Sequence, residues 1–464
     1  MSTFARTIAA FEREPEPLRI LSASGQLGYG IPETAYRAGL ERRPHLVGAD
    51  MGSVDPGPYY LGAGRLATSR RSTKRDLKLV LTGALAQGTP VIIGTAGTAG
   101  GDPHLAETVG ILREISREER LTFRLATIGA EIPKDIVKGS MRAGKTRPIG
   151  PIAALTDAEI DGASRIVGQM GTEAFLRAMA REPDVILAGR ACDTAVYAAL
   201  PARLGLSMAA AMQMAKIIEC ASLCCEPGGR DAMLGTLEGD SFVLESMNPA
   251  RRATPLSVAA HGLYEQADPL TVTEPEGVLH LGDSTFDAVD DRRCRVGGAR
   301  WVPATQLSVK IEGATRVGAR AIFVAGSVDP VFIEKASEII PAVEAIVREL
   351  VPPNPARPYA MYFRFYGLGV VAGQPVSTLP EEIGIVVECI GEDEEEARAV
   401  VATCKQYLLH HGFPGRISTA GNTAFPFTPP ELTAGDAYRF SVYHIMNVDA
   451  LEPLFPVSVE TLGG

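Results

Sequence analysis

Five times in the first two hundred residues a short apolar run ends in small or acidic residues: 20–21, 46–47, 91–93, 123–128 and 185–187. Between these runs lie stretches with helical spacing, such as 74–87 and 105–118. A strand that is apolar on both faces must be covered on both, and alternation with helices at crossover spacing is how a parallel sheet achieves this. Residues 1–235 are therefore expected to form an α/β ligand-binding domain: a Rossmann-like, mostly parallel sheet with helices on both faces.

Two further segments follow. Residues 236–303 are rich in Pro, Gly and Asp and predict an irregular β-rich connection or subdomain. From 304 the expected elements are strands 306–311 and 321–324, helix 330–350, strands 359–365 and 383–389, helix 392–410 and strand 438–443. The last six read β-α-β-β-α-β, the order of a ferredoxin-like α+β domain, here 304–464. The proline-rich run 351–358 reads as an internal connection between a helix and a strand. The acidic run 392–396 reads as a helix start, where carboxylates oppose the helix dipole.

At 464 residues and 46% hydrophobic content the chain can bury more than one core. A net charge of -10 gives no basic footprint for nucleic acid. Arg6, Glu12, Arg13, Glu14 and Glu16 interrupt any signal-peptide core near the start. Gln213, Lys216 and Glu219 interrupt the apolar stretch 206–223, so no membrane span is expected. Seven cysteines in a chain of this length do not make a secreted disulfide framework, and a cytoplasmic location follows.

Open α/β sheets bind ligands beyond the carboxyl ends of their strands, which directs attention to the loops after the five runs. The third loop, 94–104, carries Gly97, Gly100 and Gly101 ahead of Asp102, Pro103 and His104. Its glycines permit close backbone approach to an anion, with Asp102 as N-cap and Pro103 at N1 of the following helix. A tight structural turn is the plainer reading. The loop has neither the GxGxxG nor the GK[ST] spacing, so no nicotinamide or ATP motif is present. His104 is either a general acid or a helix-start residue.

In the second loop Asp55 is the preferred catalytic carboxylate, against ordinary Asp-Pro-Gly turn chemistry, while Asp50 is read as a strand-end cap. After the fifth run, Arg190 is placed to anchor a substrate carboxylate and Asp193 to act as a base, with a loop-stabilising Arg–Asp pair as the alternative. Glu131, after the fourth, is a substrate-contact candidate or a helix-start carboxylate. Glu219 breaks an apolar helix and is a catalytic candidate or a surface carboxylate. The neighbouring Cys220, Cys224 and Cys225 lack zinc-site spacing and read as buried apolar groups. Oxygen-rich loops would suit a divalent metal, though no metal motif is spelled out.

The segment 408–443 holds the most distinctive wording. It contains His410-His411-Gly412-Phe413-Pro414-Gly415-Arg416, then Thr419-Ala420-Gly421-Asn422-Thr423-Ala424-Phe425-Pro426, and runs on into Phe440-Ser441-Val442-Tyr443-His444. Arg416 and Asn422 are candidate substrate contacts, with support of the loop's own backbone as the alternative for Asn422. These phrases resemble the acyclic terpene utilisation AtuA family. That resemblance implies terpene catabolism, in which acyl-CoA and branched carboxylates are processed, and a small AtuA-related protein as a partner subunit.

The combined expectation is a carbon–oxygen lyase or hydratase acting on a small carboxylate or acyl-CoA by acid–base chemistry in a Gly-rich crevice. A non-catalytic acyl-CoA or organic-acid binding subunit is the alternative. Assembly as a homo-oligomer, or with the small partner, is expected because a sheet with helices on one face leaves the other to be covered.

Overall fold

The computed structural model describes residues 1–264, 268–416 and 419–463. The chain divides into two units, Met1–Thr315 with Phe440–Gly464, and Arg316–Arg439.

All five apolar runs are strands of the first unit: β1 (Leu18–Ser22), β2 (Leu46–Asp50), β3 (Val91–Gly94), β4 (Phe123–Ile128) and β5 (Val185–Ala188). They lie parallel in the order β1-β2-β3-β5-β4. Side chains alternate across the pleat. Ile20, Leu46, Ile92 and Ile186 enter one core with helices Asp193–Arg203 and Met208–Ile218. Leu21, Val47, Ile93 and Leu187 enter the other with helices Arg70–Ala86 and Asp102–Glu119. Each such side chain stabilises by roughly 1.5–3 kcal/mol on burial, which explains why these strands read as unbroken apolar runs.

Antiparallel strands extend this sheet at both sides. Met233–Glu238 pairs with β1, and Ser241–Ser246, Arg293–Gly297 and Thr285–Ala288 follow in order; at the far side Val457–Leu462 pairs with β4. The expected boundary at 235 thus falls inside the strand Met233–Glu238, and 236–303 contributes strands Ser241–Ser246, Thr285–Ala288 and Arg293–Gly297 to the large mixed sheet. Strands Thr271–Glu274, Gly277–His280 and Arg300–Pro303 form a small sheet of their own.

The expected break between strands 306–311 and 321–324 is absent: Ser308–Ser327 is one strand, with an irregularity between Ala314 and Thr315. The polar, glycine-containing stretch 312–320 looks like a loop by composition. Glu312 is instead fully buried, and a Cβ on Gly313 would come within 2.9 Å of Val442, so close packing holds the backbone extended.

In the second unit the elements run strand, two helices, two strands, helix, strand, and strands Ala360–Tyr366, Ile383–Gly391, Ser308–Ser327 and Glu431–Asn447 follow one another across the sheet. Helices Ala336–Leu350 and Glu394–His410 cover one face through Val343, Val347, Val400 and Leu408, packed on Phe323, Ile385 and Val387. The helix expected at 330–350 divides at Lys335 into Pro330–Glu334 and Ala336–Leu350. On the other face Tyr362 and Tyr366 are each 45% exposed, beside Glu388, which accepts from Arg320 at 2.6 Å and Arg364 at 2.7 Å. Among the described residues no helix is long and apolar enough to cross a membrane.

Candidate active site

The loops beyond the carboxyl ends of β2, β3 and β5 are laced together by threonine hydroxyls and backbone groups. Thr95 Oγ1 bonds with the Ala191 N–H at 3.3 Å, Thr98 Oγ1 donates to Met51 O at 3.1 Å, and the Arg190 N–H donates to Gly100 O at 3.2 Å. Thr95 and Thr98 hold φ of 41° and 88°, strained for residues with a side chain. Gly100 has φ 66°, and a Cβ there would lie 2.1 Å from Arg190 N. Its close approach is to the neighbouring loop. Gly97 packs on Leu66 and His104.

Two positions expected to receive an anion are filled by carboxylates of the chain itself. Gly101 caps the helix Asp102–Glu119, one position earlier than expected, and the Asp102 N–H donates to Glu131 Oε2 at 3.0 Å. Glu131 thus satisfies an unpaired helix-start N–H, and burial raises its pKa. Arg190, 2% exposed, donates from Nε to Glu312 Oε2 at 2.8 Å and from Nη1 to Ala191 O at 3.1 Å. Burial opposes the guanidinium charge, yet Glu312 outweighs it and raises the Arg190 pKa. Burial likewise opposes the charge of Glu312, but Arg190 and Lys310, whose Nζ lies at 2.8 Å, hold its pKa below the usual carboxylate value.

A group of titratable side chains sits around this framework. Asp50 ends β2 at 2% exposure; its Oδ2 accepts from the Gly52 N–H at 2.6 Å, and its Oδ1 has no hydrogen-bond partner among the described residues. Gly94 makes room for it, since a Cβ there would fall 2.5 Å from Asp50 Oδ1. Burial, then the Asp193 charge, push the Asp50 pKa well above the ordinary range. Asp193 opens the helix Asp193–Arg203, lies 4.0 Å from Arg190 Nη1, and has a side chain 36% exposed.

Glu219 is 6% exposed and pairs with Lys216 Nζ at 2.6 Å. Burial raises its pKa to about 8, with Asp193 and Glu274 adding to the rise and Lys216 opposing it. Thr194 Oγ1 donates to the buried Glu274 at 2.6 Å, and Tyr197 shares a 3.0 Å bond with Ser22. Carboxylates whose protonation is driven by burial and by one another are the kind of constellation that acid–base sites use.

The other sequence candidates lie as follows. Asp55 is exposed and accepts from Ser53 Oγ at 2.6 Å within its own turn. His104 is fully buried, its Nε2 bonded with Tyr60 O at 3.0 Å, and burial lowers its pKa. Arg416 and Asn422 belong to the second unit. There Arg416 Nε donates to Asn422 Oδ1 at 2.8 Å, and Asn422 Nδ2 donates to Leu408 O at 3.0 Å and His411 O at 2.9 Å, tying the loop to the end of helix Glu394–His410.

Asp193 and Glu219 are thus drawn into one electrostatic group with Arg190. The sequence reading missed Asp50 as a member, and with it Lys216, Glu274 and Glu312. Lys216 carried a signal, a cation three residues before a carboxylate in an otherwise apolar helix. Among the described residues no three His, Cys, Asp or Glu side chains are grouped to hold a metal ion.

A family model described as "Acyclic terpene utilisation family protein AtuA" matches residues 236–430. No curated protein and no solved structure matches the chain. The matched segment includes Glu274 and Glu312, whereas Asp50, Asp193 and Glu219 precede it. Over that segment the chain is similar to the acyclic terpene utilisation AtuA family, in agreement with the resemblance of its 408–443 phrases.

Proposed function

We propose that this chain is a cytoplasmic metabolic enzyme of acyclic terpene utilisation, a carbon–oxygen lyase or hydratase acting on a small hydroxylated carboxylate or its acyl-CoA thioester. The observation that carries the reading is the unequal pair Asp193 and Glu219. Asp193 is a partly exposed carboxylate at a helix start, 4.0 Å from Arg190 Nη1. Glu219 is buried and holds its proton up to about pH 8. A partly exposed carboxylate beside a buried carboxyl group that keeps its proton suits the base and acid roles of such a pair.

In the dehydration direction Asp193 takes the proton from carbon, and Glu219 gives its proton to the departing hydroxyl, which leaves as water. Lys216, beside Glu219, supplies positive charge for the enolate-like intermediate. Hydration runs the same transfers backwards. Arg190 positions Asp193 while Glu312 holds Arg190. The family description supports the pathway, and seven free cysteines agree with a reducing compartment.

Parallel strands with helices on both faces support a doubly wound α/β reading of the first unit, in an order, β1-β2-β3-β5-β4, that differs from the Rossmann one, and the order of strands in the second supports a ferredoxin-like reading. The exposed Tyr362 and Tyr366 support coverage by a second copy or by a small AtuA-related partner.

The test is turnover of purified chain on 3-hydroxyacyl and 2-enoyl thioesters, followed by enoyl absorbance. Asp193→Asn and Glu219→Gln should each lower kcat by about 10²–10⁴ with circular dichroism unchanged. Unchanged kcat in both variants overturns the assignment, and ligand binding without turnover favours a binding subunit.

A further inference from the structure

Lys216 faces a second set of polar groups that the acid–base assignment leaves unused. Gln213 shares its helix face three residues earlier. Gln213 is 3% exposed; its Nε2 donates to Ser284 Oγ at 2.8 Å, which orients the amide, and its Oε1 has no partner among the described residues. His261, 8% exposed, stacks on Tyr264 with ring centroids 5.5 Å apart, and its Nε2 likewise has none. Lys216 Nζ lies 6.0 Å from the Tyr264 ring centroid, and Tyr264 is 44% exposed, so this corner adjoins solvent. Burial and the Lys216 charge lower the His261 pKa to about 4, so its ring is neutral at pH 7. The Lys216 charge also acts on Glu274.

Buried polar atoms without partners are uncommon and costly, and two on separate helices around one ammonium point to a ligand that completes them. The chemistry of the set restricts that ligand. A carboxylate would meet the Gln213 carbonyl oxygen and Glu274, both acceptors. An ammonium would meet Lys216. A hydroxyl donates to Gln213 or to His261 and accepts from Lys216, and two hydroxyls supply a proton to each acceptor.

We propose that Gln213, Lys216 and His261 form the specificity subsite of this centre and that it takes a hydroxyl-bearing, uncharged part of the substrate. The proposal rests on the reading of the first unit as the reacting site, but it concerns recognition and is read by binding alone. Calorimetric titration of the full chain with butanoate, 3-hydroxybutanoate and 3,4-dihydroxybutanoate provides matched probes that differ only in hydroxyl groups. The better-placed hydroxylated probe should bind at least about fivefold more tightly than butanoate. Gln213→Leu and His261→Ala should bring that ratio toward one.

Equal affinities in the unaltered chain overturn the proposal whether or not the variants fold, as does failure of every hydroxylated probe to bind. A ratio that persists in both folded variants also overturns it. Asp193→Asn separates the two readings: it should lower kcat by about 10²–10⁴ and keep the hydroxyl preference. Hydroxyl-dependent binding without turnover in the unaltered chain would leave this subsite standing and remove the lyase.

Discussion

Glu219 is protonated at neutral pH because burial costs its anion more than Lys216 returns. Its pKa moves from an ordinary 4.5 to about 8, and the sign of the consequence is fixed. Between those values the folded chain holds a proton that the unfolded chain has released, so the group's contribution to stability is full below pH 4.5 and is lost as pH rises toward 8. Melting temperatures of the unaltered chain and Glu219→Gln, measured from pH 4 to 9, should therefore diverge, with the unaltered chain losing ground through that window. The same proton predicts that kcat falls about tenfold per pH unit above pH 8.

Arg190 obeys a different balance. Arg190→Met strips a buried carboxylate of its main partner and should cost about 3–5 kcal/mol in urea denaturation, whereas Asp193→Asn, at a half-exposed site, should cost under about 1 kcal/mol. Which acids matter was only partly legible in the sequence. Asp50 ends the strand that Asp55 follows, and what separates them is Gly94, whose missing side chain admits Asp50 to the interior. Glu312 is 122 positions from Arg190, beyond the reach of any local pattern.

The five parallel strands were legible because burial on two faces leaves little choice of residue. The strand Ser308–Ser327 was not, because its polar middle is extended by an ion pair and by close packing at Gly313. The Gly-rich loop after β3 was recognisable as a place of close approach, but the approaching partner proved to be the Arg190 backbone. Gly100→Ala must place a methyl group where that backbone lies, at a positive φ as well. It should destabilise by at least about 1–3 kcal/mol, checked by the same denaturation. It should also lower activity through the displaced Asp193.

The first unit is interrupted in sequence: the chain leaves it after Thr315 and re-enters at Phe440. Val457–Leu462, which arrives after that detour, pairs with β4 along its whole length, from Val457 opposite Ile128 to Leu462 opposite Phe123. Without it β4 presents an unpaired edge lined by Phe123, Leu125 and Ile128, a template for pairing with other chains. Truncation before Val457 should therefore turn the protein from a clear solution to an aggregating one, read by light scattering on warming; unaltered scattering would show that the edge is harmless. The same connectivity bears on synthesis. A ribosome releases β4 long before its cover, and the whole of 316–439 must emerge in between. For that interval the nascent chain carries an open apolar edge, and the inserted unit has the opportunity to fold while its host is still incomplete.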